Sequence, residues 1–167
     1  MFNLLFENLK FFTNKKRLFL LMDNIDKDII KILQDNARTS YREIKDELGI
    51  SIGTIHNRIA KLKKKNIIES YTIRLNNKKL GYELTFLIRM QIDGKYTDQV
   101  LSGLTERTEV CSIFHTTGEQ SAALICRFKN SEDVNQFIRE LNKKDYIKRT
   151  VSNLVLKEYK SERDVLL

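Results

Sequence analysis

From Asn24 the apolar residues recur at near-helical spacing, Ile25, Ile29, Ile32 and Leu33, with Asp26, Lys27, Asp28 and Lys31 between them. The pattern predicts a helix ending near Asp35 and Asn36. Ser40 to Glu43 then has the form of a capping box: the Ser40 hydroxyl can accept the N3 amide while Glu43 reaches back to the cap amide. Tyr41, Ile44 and Leu48 give this second helix an apolar stripe. Gly49, able to take the left-handed conformation of a C-terminal cap, stops it. Ser51 is a good N-cap for a third helix, whose buried face is expected to be Ile52, Ile55, Ile59 and Leu62. Only Leu48 to Ser51 separates the second and third helices. That tight helix-Gly-turn-helix is the arrangement used to read DNA. A plain three-helix bundle is the alternative.

After Asn66 the period changes. Ile67 to Leu75 alternates and is rich in β-formers, which predicts a linking strand. Asn76 to Lys79 and then Gly81 are breaks. Leu84, Phe86, Ile88, Met90 and Ile92 alternate with Thr85, Leu87, Arg89 and Gln91, as in a strand. Val100, Leu101 and Leu104 suit a short helix. Val110 to Thr117 and Ala122 to Phe128 are predicted strands joined by Gly118, Glu119 and Gln120. Ser131 can cap a helix carrying Val134, Phe137, Ile138 and Leu141, and Val151 to Tyr159 is the last predicted strand. The order β-α-β-β-α-β is ferredoxin-like. Two helices cover one sheet face, so the other needs a partner and dimerisation through the sheet is expected.

The whole chain is therefore α+β: a helix-turn-helix domain of winged-helix-like type, then a ferredoxin-like βαββαβ domain. Its 167 residues allow two small domains, each with a thin core that association would help. The formal net charge of +8 favours polyanionic partners without separating DNA from RNA or an anionic membrane. Cys111, Cys126, His56 and His115 have no ligand-like spacing. No metal or cofactor is expected, and packed thiols in a reduced, cytoplasmic setting account for the cysteines. Residues 1–22 are apolar but interrupted by Glu7, Lys10 and Lys15-Lys16-Arg17, so neither a bilayer span nor a signal peptide is expected. They are either an amphipathic extension or an over-extended reading frame that truly starts at Met22. The second is preferred because the helical pattern begins at once after Met22.

The strongest functional signal is the segment Ser51 to Lys65. With Ile55, Ile59 and Leu62 inward, Gly53, Asn57, Ala60 and Lys64 point outward, with Thr54, His56 and Lys61 beside them. Small and polar groups at the front let a helix enter a major groove. There Asn can bond adenine N6 and N7, Thr or Ala can touch a thymine methyl, and His can donate to guanine. Arg58 lies nearer the core edge, placed for phosphate or for an intramolecular carboxylate. Ser51 to Arg74 holds six Lys or Arg against Glu69 alone, a local balance of +5. The candidate DNA contacts are Ser51, Gly53, Thr54, His56, Asn57, Arg58, Lys61 and Lys64. Lys63 to Lys65 also suit a helix C-terminus without DNA.

These residues resemble the Lrp/AsnC family of regulators. The matching segments are Ile25 to Thr39, Ser40 to Ser51, Thr54 to Ile68, and Gly81-Tyr82 opening the second domain. Leu84 to Lys157 looks like that family's ligand-sensing and oligomerisation domain. The implied organisation is an extension over 1–22, a helix-turn-helix over 23–66, a linking strand and hinge over 67–81, a sensing and dimerisation domain over 82–160, and a tail over 161–167. The resemblance implies a cytoplasmic transcription regulator acting on double-stranded DNA as a homodimer, tetramer or octamer. It also implies an amino acid or similar effector held near the turn Thr117, Gly118, Glu119, Gln120 and Ser121. The family turn commonly reads Thr-Gly-x-Tyr-Asp, so Gln120 and Ser121 depart from it and leave no carboxylate there for an α-ammonium group; Glu119 could substitute. An architectural, sequence-indifferent DNA-compacting protein of the same fold is the main alternative. An enzyme is not expected, because no nucleophile-base pair, metal cluster or phosphate-cradling loop is present.

Overall fold

A computed structural model of the chain describes residues 22–161, which divide into two compact units on either side of the Ile73–Arg74 bond. The expectations for the segment before Met22 and for the tail beyond Ser161 lie outside the described residues. Among the described residues no helix is long and apolar enough to cross a membrane.

The first unit holds three helices, α1 Asn24–Asp35, α2 Tyr41–Leu48 and α3 Ile52–Lys64. Each begins on a side chain that accepts an orphan amide: Asp23 for α1, Ser40 for α2 and Ser51 for α3. The capping box is complete, with the Ser40 amide donating to Glu43 at 2.6 Å and the Glu43 amide to Ser40 Oγ at 3.2 Å. Gly49 closes α2 at φ +68°, a left-handed backbone that an L side chain resists. Ile29, Ile44, Ile55 and Ile59 form the core, one or two residues from each helix. Ile52, expected inside, is 44% exposed and takes no part in that core, which the helix reaches from Ile55 onward.

Ile67–Leu75 is not a strand; no regular element covers it. Ile67 is half-buried, and the later alternating residues are exposed, Ile73 at 77% and Leu75 at 55%. Among the described residues no strand pairs with it to complete a ladder, and the alternating pattern alone does not make a strand.

The second unit contains β1 Leu84–Ile92, α4 Thr97–Leu104, β2 Val110–His115, β3 Ala122–Phe128, α5 Ser131–Asn142 and β4 Ile147–Leu154. All pairings are antiparallel and the sheet order is β2-β3-β1-β4, the ferredoxin-like arrangement. The last strand starts and ends earlier than Val151–Tyr159. Its length follows its partner: Ile147 pairs Ile92 at one end of β1, and Leu154 pairs Phe86 near the other. β2 likewise stops at His115 rather than Thr117. The cap of α5 is Asn130, whose side chain accepts the Asp133 amide at 2.9 Å, and Ser131 is its first helical residue.

One sheet face packs Ile88, Met90, Leu124, Cys126 and Phe128 against Val100, Leu104, Phe137 and Leu141 of the helices. Burial pushes the Cys126 thiol up to about 12, so it stays protonated and packs as an apolar group. On the opposite face two rows run across the strands: Phe114, Ala123, Arg89 and Val151, then Ser112, Ile125, Leu87 and Asn153. Phe114 and Leu87 there are 50% and 37% exposed.

Candidate nucleic-acid interface

The interface follows from how α3 is held. Ser51 Oγ accepts the Thr54 amide at 3.1 Å and shares a 2.9 Å hydrogen bond with Thr54 Oγ1, so the two hydroxyls fix the start of the helix together. Ile55, Ile59 and Leu62 bury one stripe. That rotation leaves Gly53, Thr54, His56, Asn57, Ala60, Lys61 and Lys64 exposed. The eight sequence-predicted residues thus all lie on α3 or its cap. Ser51, Gly53, Thr54, His56, Asn57, Lys61 and Lys64 face solvent, while Arg58 turns toward the body of the unit.

Arg58 meets two carboxylates. Its Nη1 donates to Asp23 Oδ2 at 2.7 Å and to Asp26 Oδ1 at 2.8 Å. Asp26 is only 3% exposed, so it requires a cation. The hydrogen bonds to Asp23 and then Asp26 raise the Arg58 pKa above its ordinary value despite partial burial. The Asp26 amide, with help from Arg58, holds Asp23 below the ordinary carboxylate range. The intramolecular reading of Arg58 is therefore the one its geometry matches. The sequence carried a signal for it, a carboxylate at 26 on the same stripe as Ile29 and Ile30.

On the other flank, aromatic rings replace the carboxylates. His56 meets the edge of Tyr41 at 6.2 Å between ring centroids. Lys63 Nζ lies over the Tyr71 ring, 4.6 Å from its centroid. Partial burial and the nearby Tyr41 raise the Tyr71 hydroxyl above its ordinary pKa, so it stays a neutral donor. The sequence placed Tyr41 on the apolar stripe of α2 and gave no sign that either tyrosine lies beside α3. Tyr71 lies in the segment read as a strand, where a tyrosine passes for β-propensity.

In the second unit, the candidate effector turn shows a division of labour. Thr117, Glu119 and Gln120 line a cavity of about 380 Å³ together with Arg89, Thr116, Ala122 and Ala123. Gly118 takes φ +99°, which permits the turn. Ser121 does not line the cavity: its Oγ accepts the Ile92 amide at 3.2 Å, beside the register shift between Gln91 and Ile92. Thr116 Oγ1 donates to the Gln120 carbonyl at 2.6 Å and closes the turn.

Comparison with known proteins agrees across both units. Residues 22–69 match a winged helix-turn-helix DNA-binding model, and residues 85–165 match the Lrp/AsnC ligand binding domain. An uncharacterized HTH-type transcriptional regulator of Pyrococcus abyssi is 35% identical over 142 residues, covering 85% of this chain and 97% of its own. The solved structure of Escherichia coli AsnC superposes with a TM-score of 0.79 at 29% identity, covering 84% of this chain and 96% of that one. A Neisseria meningitidis transcriptional regulator, solved as its L-Met complex, shares the fold with a TM-score of 0.80 at 23% identity, covering 86% and 96%. With a DNA-binding helix-turn-helix and a ligand-binding domain matched in this order along almost the full length of such relatives, the chain belongs to the Lrp/AsnC family of transcription regulators.

Proposed function

We propose that α3 is the recognition helix of a sequence-specific, cytoplasmic regulator that binds double-stranded DNA as a homodimer or larger assembly. The observation that carries this is the exposed front of α3: small at Gly53 and Ala60, hydrogen-bonding at Asn57, and cationic at Lys61 and Lys64. Asn57, Thr54 and His56 contact base edges. Lys61 and Lys64 contact phosphate, and Ser51 contacts the backbone at the helix start. Arg58 acts behind them by locking α3 to Asp23 and Asp26. The two open-face rows through Phe114 and Leu87 are the surface through which two chains pair, and pairing sets two recognition helices about 34 Å apart on DNA. The test is the salt dependence of duplex binding. Lys61→Ala and Lys64→Ala should each weaken binding to every sequence and lower the log-log salt slope by about 0.9 per chain bound. Unchanged slopes in both would remove α3 from the interface. Sedimentation of the full chain at micromolar concentration should give no monomer; a monomer would refute the paired sheets.

The cavity beside Thr117, Glu119 and Gln120 receives a small effector. The cavity's one cation, Arg89, and one carboxylate, Glu119, fit a polar ligand. The Neisseria regulator, whose structure holds L-Met, supports an amino acid or a similar compound. Ser121 takes no part, since its hydroxyl serves the Ile92 amide. Calorimetric screening of the amino acids should find a ligand whose binding Gly118→Val abolishes. Tight binding that Gly118→Val leaves unchanged would place the effector elsewhere.

A further inference from the structure

His56 and Lys63 stand seven residues apart, two helical turns, and so share one flank of α3. That flank is completed from outside the three helices. Past α3 the chain turns at Asn66, a non-glycine residue at φ +53°. The Ile67 and Ile68 amides both donate to the Leu62 carbonyl, at 2.9 and 3.4 Å, which brings the following residues back beside the helix. Tyr71 then lies under the Lys63 ammonium and close enough to Tyr41 to feel it electrostatically, and Tyr41 in turn touches His56. Two residues further on, at Ile73, the chain leaves the first unit.

We propose that Tyr71 is a positioning residue that holds Lys63 ready for DNA phosphate and ties the exit segment to the recognition helix. The physical reason is entropic. A free lysine side chain loses much rotamer freedom when it pairs with a phosphate, and a ring that already confines its ammonium removes part of that cost before DNA arrives. The ring attracts the cation too weakly to compete with a phosphate once one is near.

This proposal rests on α3 being the recognition helix, and its test is separable from that reading. Binding of the full chain to a random-sequence duplex is measured for Tyr71→Leu and Tyr71→Phe, each with Lys63 present and with Lys63→Ala. Leu keeps apolar volume but removes the aromatic face. Tyr71→Leu should weaken binding about 2- to 10-fold per chain when Lys63 is present. It should do nothing in the Lys63→Ala background, and Tyr71→Phe should bind as the wild type does. Equal weakening in both backgrounds would mean that Tyr71 serves only to shape the unit, and would overturn the proposal. So would wild-type binding by Lys63→Ala, even if Lys61→Ala and Lys64→Ala still lowered the salt slope and kept α3 at the DNA.

Discussion

The two flanks of α3 carry cations of similar reach and hold them in different ways. Arg58 is fixed by two carboxylates, one of them almost fully buried. Lys63 and His56 lie against the rings of Tyr71 and Tyr41. A buried ion pair is a permanent part of the fold, because removing one partner strands the other charge. An aromatic face at the surface holds a cation by only about 0.5–1 kcal/mol, which a phosphate can displace. The contrast teaches that a count of basic residues over Ser51 to Arg74 overstates the charge available to DNA, and that the partner of each cation separates those that build the helix from those that can leave it.

The contrast can be broken most directly at Arg58. Arg58→Ala should cost the first unit about 3 kcal/mol by leaving the Asp26 carboxylate buried without its cation. Lys63→Ala should stay within about 0.5 kcal/mol of the wild type. Chemical denaturation of both variants checks this, and equal losses would erase the distinction between the flanks. Ser121→Ala should cost about 1–2 kcal/mol, because the Ile92 amide loses its acceptor, while binding of any effector at the cavity is unchanged. A loss of effector binding without a loss of stability would return Ser121 to the site.

Gly53 sharpens the role of the front of α3. A methyl group added there would meet only Ser51 Oγ, at 3.9 Å, so the fold does not demand glycine. Gly53→Ala should raise stability by up to about 1 kcal/mol through helix propensity. If the front approaches DNA closely, the same variant should bind its site more weakly. Gains in both stability and DNA affinity would mean the glycine is unrelated to DNA.

The smallest effect is expected from acid. The Asp26 amide and Arg58 depress Asp23, and the Ser40 amide and hydroxyl depress Glu43. In the second unit burial opposes ionisation of Glu109, but Arg107 outweighs it, and Arg107 followed by Gln136 lowers Glu140. A carboxyl group whose folded pKa is depressed contributes stability that is fully present above its unfolded pKa and lost as pH falls through the folded one. Melting temperature should therefore hold from neutral pH down to about 5 and decline below about 4. Arg58→Ala should flatten the part of that decline due to Asp23. A decline already complete above about pH 5 would contradict this assignment to the depressed carboxyl groups.

What could be read from the sequence was local in its physics. The capping box from Ser40 to Glu43, the Gly49 stop, the inward Ile55, Ile59 and Leu62 of α3, though not Ile52, and the bounds of β1 and β3 all rest on neighbours within a few residues. What could not be read depends on distant partners. Whether Ile67–Leu75 forms a strand depends on a neighbour the segment lacks among the described residues. The bounds of β4 are set by β1, more than fifty residues away. Asn130 and Ser131 are adjacent and both able to cap, so sequence could not choose between them. An intramolecular carboxylate for Arg58 could be expected, but not that both Asp23 and Asp26, more than thirty residues earlier, would supply it, and the Tyr71 ring reaches Lys63 only because the chain reverses at Asn66. At the candidate effector turn the departures Gln120 and Ser121 could be seen, but not that the Ser121 hydroxyl is committed to Ile92.

The most direct test of the central claim is selection of binding sites from random duplex DNA by the full chain and by Asn57→Ala. The wild type should enrich one pseudo-palindrome, with half-site centres about one helical turn or a multiple of it apart. Asn57→Ala should keep that spacing but lose preference at one symmetry-related base pair in each half-site, a change of about 1–3 kcal/mol. No enriched sequence, or an identical site selected by both proteins, would contradict the claim that α3 reads DNA through Asn57.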